Sequence, residues 1–331
     1  MVSGIHFRIE GYVRGPDLSP STMEFSILGS GSAGNSAVIQ SGPTRILIDA
    51  GLSARQLVRR LGDIGVDPDA LDAIVLTHEH SDHTAGLDVF LRKRAIPVYC
   101  EIRTREVLRD SIRSEVSWQL FENGDRFSVG DVEVTSFSIP HDAVEPLGYV
   151  FSSRHGGRFG LLSDTGKVTN LVRHHLRGVD SLFVEANYDD HLLQVDTKRP
   201  WATKQRISGD HGHLSNAQAA ELLADIAAPN LNRVVLGHLS RDCNRPDVAL
   251  KTVRERLASL GRRDVLVECA GQDEPLPFRR VKRDAEVLSA DPDWEGVADS
   301  DPSPPQESRT PASFGEPQSA WQASQIALFD F

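Results

Sequence analysis

The feature that most constrains this chain is the run Thr77-His78-Glu79-His80-Ser81-Asp82-His83, entered directly from the apolar stretch Ala73–Leu76. Such a stretch reads as a buried β-strand. Three histidines and an aspartate within six positions at its carboxyl end can converge on metal. Imidazole and carboxylate suit Zn²⁺, and also Mn²⁺ or Fe. His78 and His80 alternate to one side, while Asp82 and His83 can turn toward a second ion. The bland reading is a solvated His-rich turn, but four donors at this density are rare by chance.

A metal site needs further donors, and three follow other strand patterns. His141 stands in Ile139-Pro140-His141-Asp142, Asp164 in Leu161-Leu162-Ser163-Asp164-Thr165-Gly166, and His238 in Val235-Leu236-Gly237-His238-Leu239-Ser240. Each sits where a strand gives way to a loop, the usual place for a site on such a scaffold. Any one alone would more often be structural. Beside the His78–His83 cluster, all three are expected ligands.

The wider pattern alternates strands and helices. Strands are predicted at Glu24–Leu28, Ser36–Gln40, Arg45–Asp49, Ala73–Thr77, Pro97–Cys100, Asp131–Ser138, Leu147–Ser153, Phe159–Ser163, Ser181–Glu185, Arg233–Leu236 and Val265–Glu268. Helices are predicted at Ala54–Leu61, His83–Arg94, Arg103–Ile112, Ser215–Ile226 and Asp247–Leu260, with Ser215 a good N-cap. Early strands succeed one another as hairpins and helices separate the later ones. That favours an α/β (α+β) chain with two sheets and outer helices over one doubly wound parallel sheet. No repeat of fixed short period is present; a duplication across two strand-rich halves is conceivable.

Composition narrows the function classes. The 331 residues are 39% hydrophobic and 25% charged, as in a globular chain of one large or two modest domains. No apolar run is long enough for a bilayer and no secretory signal is evident, so no membrane partner and a cytoplasmic location are expected. Cys100, Cys243 and Cys269 form no CxxC pair, which excludes a disulfide scaffold and a four-cysteine zinc site. The net charge of −11 is concentrated: residues 284–331 hold ten acids and one base, Arg309, leaving −2 on the rest. This balance does not advertise nucleic-acid binding, although a local basic face can hide within it.

Four segments are expected. Residues 1–22 read as a disordered arm or a start-site artefact ahead of Met23, and 23–283 as the folded domain that carries the candidate ligands. Residues 284–322, rich in Asp, Pro and Ser, read as a disordered linker. Residues 323–331 carry an apolar peptide that is odd unless something binds it.

The HxHxDH run followed by single His, Asp and His at strand ends resembles the metallo-β-lactamase-fold hydrolases, over about residues 23–270. The resemblance implies an αββα sandwich of two mixed sheets flanked by helices, with a dinuclear site at one sheet edge. It implies that His78, His80 and His141 hold one divalent ion (Zn²⁺ or Mn²⁺), that Asp82, His83 and His238 hold the other, and that Asp164 bridges them. Two ions ~3.5–4 Å apart would activate a water and stabilise an in-line displacement at phosphorus, with Asp82 orienting that water or acting as base. Further motifs are similar to those of the YycJ/WalJ subgroup of bacterial 5′→3′ DNA exonucleases. They are Gly29-Ser30-Gly31-Ser32-Ala33-Gly34-Asn35-Ser36, Pro140–Ala143, Gly148-Tyr149, Glu185–Asp189, His211–Asn216 and His238–Asn244. Where that subgroup often has a doubled Asn, this chain has Cys243-Asn244.

The same resemblance implies that Asp49 orients the metal-binding loop, and Asn35 is expected to support the ligands too. Related tRNA-maturing phosphodiesterases carry a Glu and a His near the site, which Glu185 and His213 match in order and motif. His213 would then protonate the leaving oxygen with Glu185 setting its tautomer; the alternative is that His213 merely caps the helix from Ser215. His211 reads as exposed loop. The glycines of Gly29–Gly34 could approach a phosphate or simply form a tight turn.

The segment containing Lys198, Trp201, Lys204 and Arg206 reads as a basic loop suited to strand contact and base stacking, on DNA or RNA. Arg60 is among the further bases that could track a nucleic-acid backbone, although most of those on helices read as a solvated face. Gln325-Ile326-Ala327-Leu328-Phe329 resembles the Q-x-x-L-F peptide by which bacterial DNA-processing proteins dock on the sliding clamp. Gln325 would bond at a groove edge while Leu328 and Phe329 fill an apolar pocket. The leading expectation is a dinuclear DNA exonuclease of replication or repair. The alternatives are a hydrolase of small thioesters, lactones or cyclic nucleotides, and a non-catalytic scaffold tethered to the clamp.

Overall fold

The structure is a computed structural model that describes residues 22–282. The expected arm over residues 1–22, save Thr22, and the expected linker and terminal peptide lie outside these residues. The described residues belong to one compact unit.

The strands are β1 (Glu24–Gly29), β2 (Ser36–Ser41), β3 (Thr44–Ile48), β4 (Ala73–Val75), β5 (Val98–Glu101), β6 (Trp118–Phe121), β7 (Arg126–Val129), β8 (Val132–Ser138), β9 (Leu147–Ser153), β10 (Arg158–Leu162), β11 (Ser181–Glu185), β12 (Arg233–Gly237), β13 (Leu266–Cys269) and β14 (Arg279–Arg280). The helices are α1 (Ala54–Asp63), α2 (Ser81–Thr84), α3 (Leu87–Leu91), α4 (Ile102–Leu108), α5 (Asn170–Leu176), α6 (Asp190–Val195), α7 (Trp201–Ser208), α8 (Asn216–Ile226) and α9 (Pro246–Ser259).

Two seven-stranded sheets result, ordered β14-β1-β2-β3-β4-β5-β6 and β13-β12-β11-β10-β9-β8-β7. Both are mixed. β1 to β3 pair antiparallel and β3 to β6 parallel. β7 to β10 then pair antiparallel and β10 to β13 parallel. Both halves thus run from antiparallel to parallel pairing, with two antiparallel pairs within β1 to β6 and three within β7 to β13, so they share an order but not a count of strands.

Alternation along each strand assigns the layers. Phe25, Ile39, Ile48 and Val75 of the first sheet meet Val134, Phe151, Phe183 and Val235 of the second in one core. The opposite faces bury Val38, Leu47 and Ile74 beneath α1 and α3, and Leu182, Val184, Val234 and Leu236 beneath α8 and α9. The expected αββα sandwich is therefore present. Among the described residues no helix is long and apolar enough to cross a membrane.

Three expectations need correction. The single helix expected over His83–Arg94 is two short helices, α2 and α3. At the break, Gly86 donates its N–H to the Ala50 carbonyl, and a Cβ there would stand 1.9 Å from the Leu52 oxygen. The chain is held too close to the 50–52 loop for an unbroken helix. The expected basic loop at 198–206 largely folds as α7. Arg60, grouped by sequence with bases that might track nucleic acid, is buried and donates to the carbonyls of Leu28 and Gln272. Strands β6, β7 and β14 are absent from the sequence reading; they are edge strands of only four, four and two residues, too short for an alternating pattern to register.

The short strand β14 carries Arg279, which forks onto Glu268 of β13 in the opposite sheet at 2.9–3.1 Å, while Arg233 of β12 reaches the same carboxylate at 2.7 Å. Burial alone would raise the Glu268 pKa, but the two guanidinium groups hold it below the ordinary value. A lowered folded-state pKa stabilises above the unfolded value of about 4.3 and loses that contribution as pH falls through the folded value. Glu268→Gln is expected to cost about 1 kcal/mol at pH 7. The gap from wild type should close below pH 4 in urea titrations; a pH-independent gap would contradict this account.

Candidate metal centre

The residues singled out by sequence are brought to one edge of the sandwich, where β3, β4, β8, β10, β11 and β12 end. Asp49 follows β3, His78 follows β4, His141 follows β8, Asp164 follows β10, and His238 follows β12. Asp49, Asp164 and His238 all adopt the left-handed conformation, with φ of 56°, 54° and 51°. That conformation is costly for side chains bearing a Cβ, and it concentrates where function holds the chain. It turns each strand end sharply so that its side chain points across the edge.

Two donor groups form. The first is His78, His80 and His141; the second is Asp82, His83, Asp164 and His238. In the first, His78 Nε2 lies 3.1 Å and His141 Nε2 3.3 Å from His80 Nδ1. Tetrahedral zinc with Zn–N of 2.0–2.1 Å places its nitrogens about 3.3–3.4 Å apart, so the spacing fits a shared ion. His141 Nδ1 donates to the Gly212 carbonyl at 3.2 Å, which leaves its Nε2 lone pair inward. Burial is the leading cause that lowers the pKa of His78 and His141, keeping them in the neutral form that metal ligation requires.

The second group is more acidic. Asp164 Oδ2 lies 3.1 Å from His83 Nε2, and its Oδ1 lies 2.9 Å from His238 Nδ1. Burial opposes ionisation of Asp164, yet His238 and His83 hold its pKa well below the carboxylate range. Burial also opposes charge on His83, but Asp164 and Asp49 raise its pKa strongly. The field of these carboxylates favours a cation here, which fits a divalent ion. Asp164 groups with this set and also with Glu185 and His213, and its charge reaches His78 and His141.

Support comes from a few polar residues. Asp49 Oδ1 accepts from the Thr77 N–H at 2.8 Å; its Oδ2 meets Thr77 Oγ1 at 2.9 Å and His83 Nδ1 at 2.8 Å. A carboxylate only accepts, so Nδ1 of His83 carries its proton toward Asp49, and Nε2 is the nitrogen turned to the site, where it faces Asp164 and where a bound ion would take its lone pair. Asn35 Nδ2 donates to Asp82 Oδ2 at 3.2 Å, while Asn35 Oδ1 accepts from the Gly31 N–H. The glycine-rich segment is thus a tight turn that aims Asn35. Gly51 is required beside it, since a Cβ there would lie 1.6 Å from the Asp82 carbonyl oxygen.

Glu185 is fully buried and holds His213 Nδ1 at 3.0 Å, besides accepting from the N–H groups of Thr165 and Leu214. Burial pulls the His213 pKa down, but Glu185, then Asp164 and Asp142, push it up to about 9. His213 does not cap α8: Ser215 does, in a capping box with Gln218. His211 is exposed, as expected. Thr77, Ser30 and Asn187 lie within the sequence motifs, and only the structure gives them a role. Ser30 Oγ accepts from the His238 N–H at 2.7 Å and Asn187 donates to its carbonyl at 2.8 Å, fixing the strained turn. Their adjacency to ligand motifs was the available signal. Asn244, beside Cys243, bonds Asn216 and the Ala186 carbonyl below the site.

The basic segment is less available than its sequence implied. Lys204 is buried and donates to the Gln194 carbonyl at 2.8 Å, which departs from a nucleic-acid contact. Lys198 pairs with Asp242 and Arg206 with Asp142, while Trp201 is exposed.

Asp49→Asn keeps the size of the side chain but removes the charge that orients His83. It is expected to weaken divalent-metal affinity about 10- to 100-fold, as loss of such a supporting carboxylate does. Competition against a chelating dye checks this; unchanged affinity with normal folding would refute the role.

The comparisons agree with this geometry. Residues 44–239 match the family model of the beta-lactamase superfamily domain. The chain is 36% identical over 245 residues to a Streptococcus pneumoniae protein named exodeoxyribonuclease WalJ, covering 73% of this chain and 90% of that one. It is 34% identical over 241 residues to exodeoxyribonuclease YycJ of Bacillus anthracis, covering 72% and 90%. The fold matches the crystal structure of the metallo-beta-lactamase fold protein YhfI from Bacillus subtilis with a TM-score of 0.60 at 17% identity, covering 77% of this chain and 99% of that one. The chain therefore belongs to the beta-lactamase superfamily, as a metal-dependent hydrolase of the YycJ/WalJ kind.

Proposed function

We propose that this hydrolase is a DNA exonuclease that holds two divalent ions, degrades strands 5′→3′ and acts in replication or repair. The observation that carries the reading is a seven-donor site in a chain alike over 90% of the length of a protein named an exodeoxyribonuclease. His78, His80 and His141 would hold one ion; Asp82, His83 and His238 would hold the other, with Asp164 shared. When bound, the ions supply Lewis acidity toward phosphodiester oxygens and lower the pKa of a nearby water.

The chain's own groups complete the chemistry. Asp82, the most exposed carboxylate of the second group, orients the attacking water and accepts its proton. His213 gives a proton to the departing oxygen. Its Nδ1 is engaged by Glu185, so Nε2 is the nitrogen left to donate. Lys198 and Arg206 exchange their aspartates for strand phosphates, a trade that salt weakens. Gln325, Leu328 and Phe329 dock the enzyme on the sliding clamp and so raise its concentration at DNA.

The test uses end-labelled linear duplex DNA with Mn²⁺ or Zn²⁺, beside matched RNA and a closed circle. Progressive loss of the 5′ label with the circle intact, abolished in His83→Ala, is the expected result. Survival of every nucleic acid under both metals would overturn the reading. His213→Ala is expected to lower kcat on DNA about 10²- to 10⁴-fold. It should barely slow a p-nitrophenyl phosphodiester, whose leaving group needs no proton. Equal losses on both substrates would assign His213 a structural role.

A further inference from the structure

Trp201 is the most exposed large apolar side chain among the described residues, at 69%. It opens α7 and shares one face of that helix with Lys204, Gln205 and Ser208, at the i, i+3, i+4, i+7 spacing. This face meets Tyr188 and Leu193 across a cavity of about 190 Å³ between α6 and α7. That is below the usual 300–1,000 Å³ of a drug-sized pocket, so it has room for about one planar ring system.

The charge of the cavity selects its occupant. Its only cation, Lys204, is spent on the Gln194 carbonyl. Asp190 contributes a negative charge, so a phosphate is disfavoured. What remains is an exposed indole face, two apolar walls and the amides and carboxylate of Gln205, Gln194 and Asp190. An aromatic platform with uncharged donors and an acceptor suits a nucleobase, whose faces stack and whose edge carries N–H groups and carbonyls.

The cavity is tied to the metal centre through the other end of α7. Ile207 accepts from the His213 N–H at 2.8 Å, and Arg206 reaches Asp142, next to the ligand His141, at 2.7 Å. From Ser208 back to Trp201 is seven residues, about 10 Å along the axis. A strand leaving the centre would therefore pass Arg206 with its phosphate before its base reaches Trp201.

We propose that this cavity is a nucleobase subsite, in which Trp201 stacks a base of the nucleic-acid strand a short way from the scissile phosphate. The proposal rests on the nuclease reading above. Lys204 is then a positioning residue that holds α6 to α7 and keeps the cavity open, not a phosphate contact.

The experiment couples the protein to the base. Wild type, Trp201→Ala and Trp201→Phe are assayed on a single-stranded oligonucleotide and on versions with one abasic position each. Stacking of about 1–3 kcal/mol predicts a KM raised about 5- to 150-fold in Trp201→Ala, with kcat little changed and Trp201→Phe near wild type. One abasic position should raise the wild-type KM similarly and add nothing in Trp201→Ala. If no abasic position couples to Trp201→Ala, or if Trp201→Ala slows a p-nitrophenyl phosphodiester as much as DNA, the subsite is wrong. Binding is read separately, as quenching of tryptophan fluorescence by the oligonucleotide in His83→Ala with and without Trp201→Phe. A Trp201-dependent quench without cleavage by wild type would sink the nuclease reading and keep the subsite. Cleavage by wild type without that quench would do the reverse.

Discussion

The site depends first on one carboxylate. Asp49, forced into the left-handed conformation at the end of β3, collects the Thr77 N–H, the Thr77 hydroxyl and His83 Nδ1. It thereby clamps the end of one strand to the beginning of the histidine run and decides which nitrogen of His83 faces inward. The neighbouring backbone closes the same knot. Ala50 donates to the His83 carbonyl, Asn35 donates to that of Asp82, and Gly51 donates to that of Asn35. A buried charge with all its contacts satisfied is stiff, because leaving any partner unpaired costs the full desolvation of that group.

The donors come from both sheets, so the core between the sheets sets their separation. His78, His80, Asp82 and His83 follow β4 of the first sheet, whereas His141, Asp164 and His238 follow β8, β10 and β12 of the second. Phe25 stacks on Phe159 across the sandwich, and the wholly buried Tyr149 donates from its hydroxyl to the Leu76 carbonyl just before the histidine run. A close-packed interior transmits small displacements instead of absorbing them. The candidate metal centre is therefore an extension of the inter-sheet core, not of any one loop.

Electrostatics divides the centre. In the first donor group burial keeps the imidazoles of His78 and His141 neutral, whereas in the second the carboxylates favour positive charge on His83. Outside the centre, bases near α7 are already paired with Asp142 and Asp242, so affinity for a polyanion there requires exchange of partners. Such exchange makes contact sensitive to salt and leaves the exposed aromatic face of Trp201 as the feature without an internal partner charge.

The sequence by itself determined the strand ends that carry chemistry. His78 to His83, His141, Asp164 and His238 were legible because imidazoles and carboxylates at the ends of apolar runs stand out against a simple periodic background. Glu185 and His213 were legible as a pair only through their motif order. Tertiary structure alone decided the rest. It broke the expected helix after Thr84, because Gly86 must pass against the Leu52 carbonyl, a contact 34 residues away in the chain. It buried Arg60 and Lys204, whose charges read as surface because a periodicity cannot show which carbonyls will lie within reach. It gave Ser30 and Asn187 their work at His238, and it placed β14 beside β1 with too few residues to carry a pattern. Local pattern encodes burial and turn propensity, whereas partnership between distant groups exists only once the two sheets are packed.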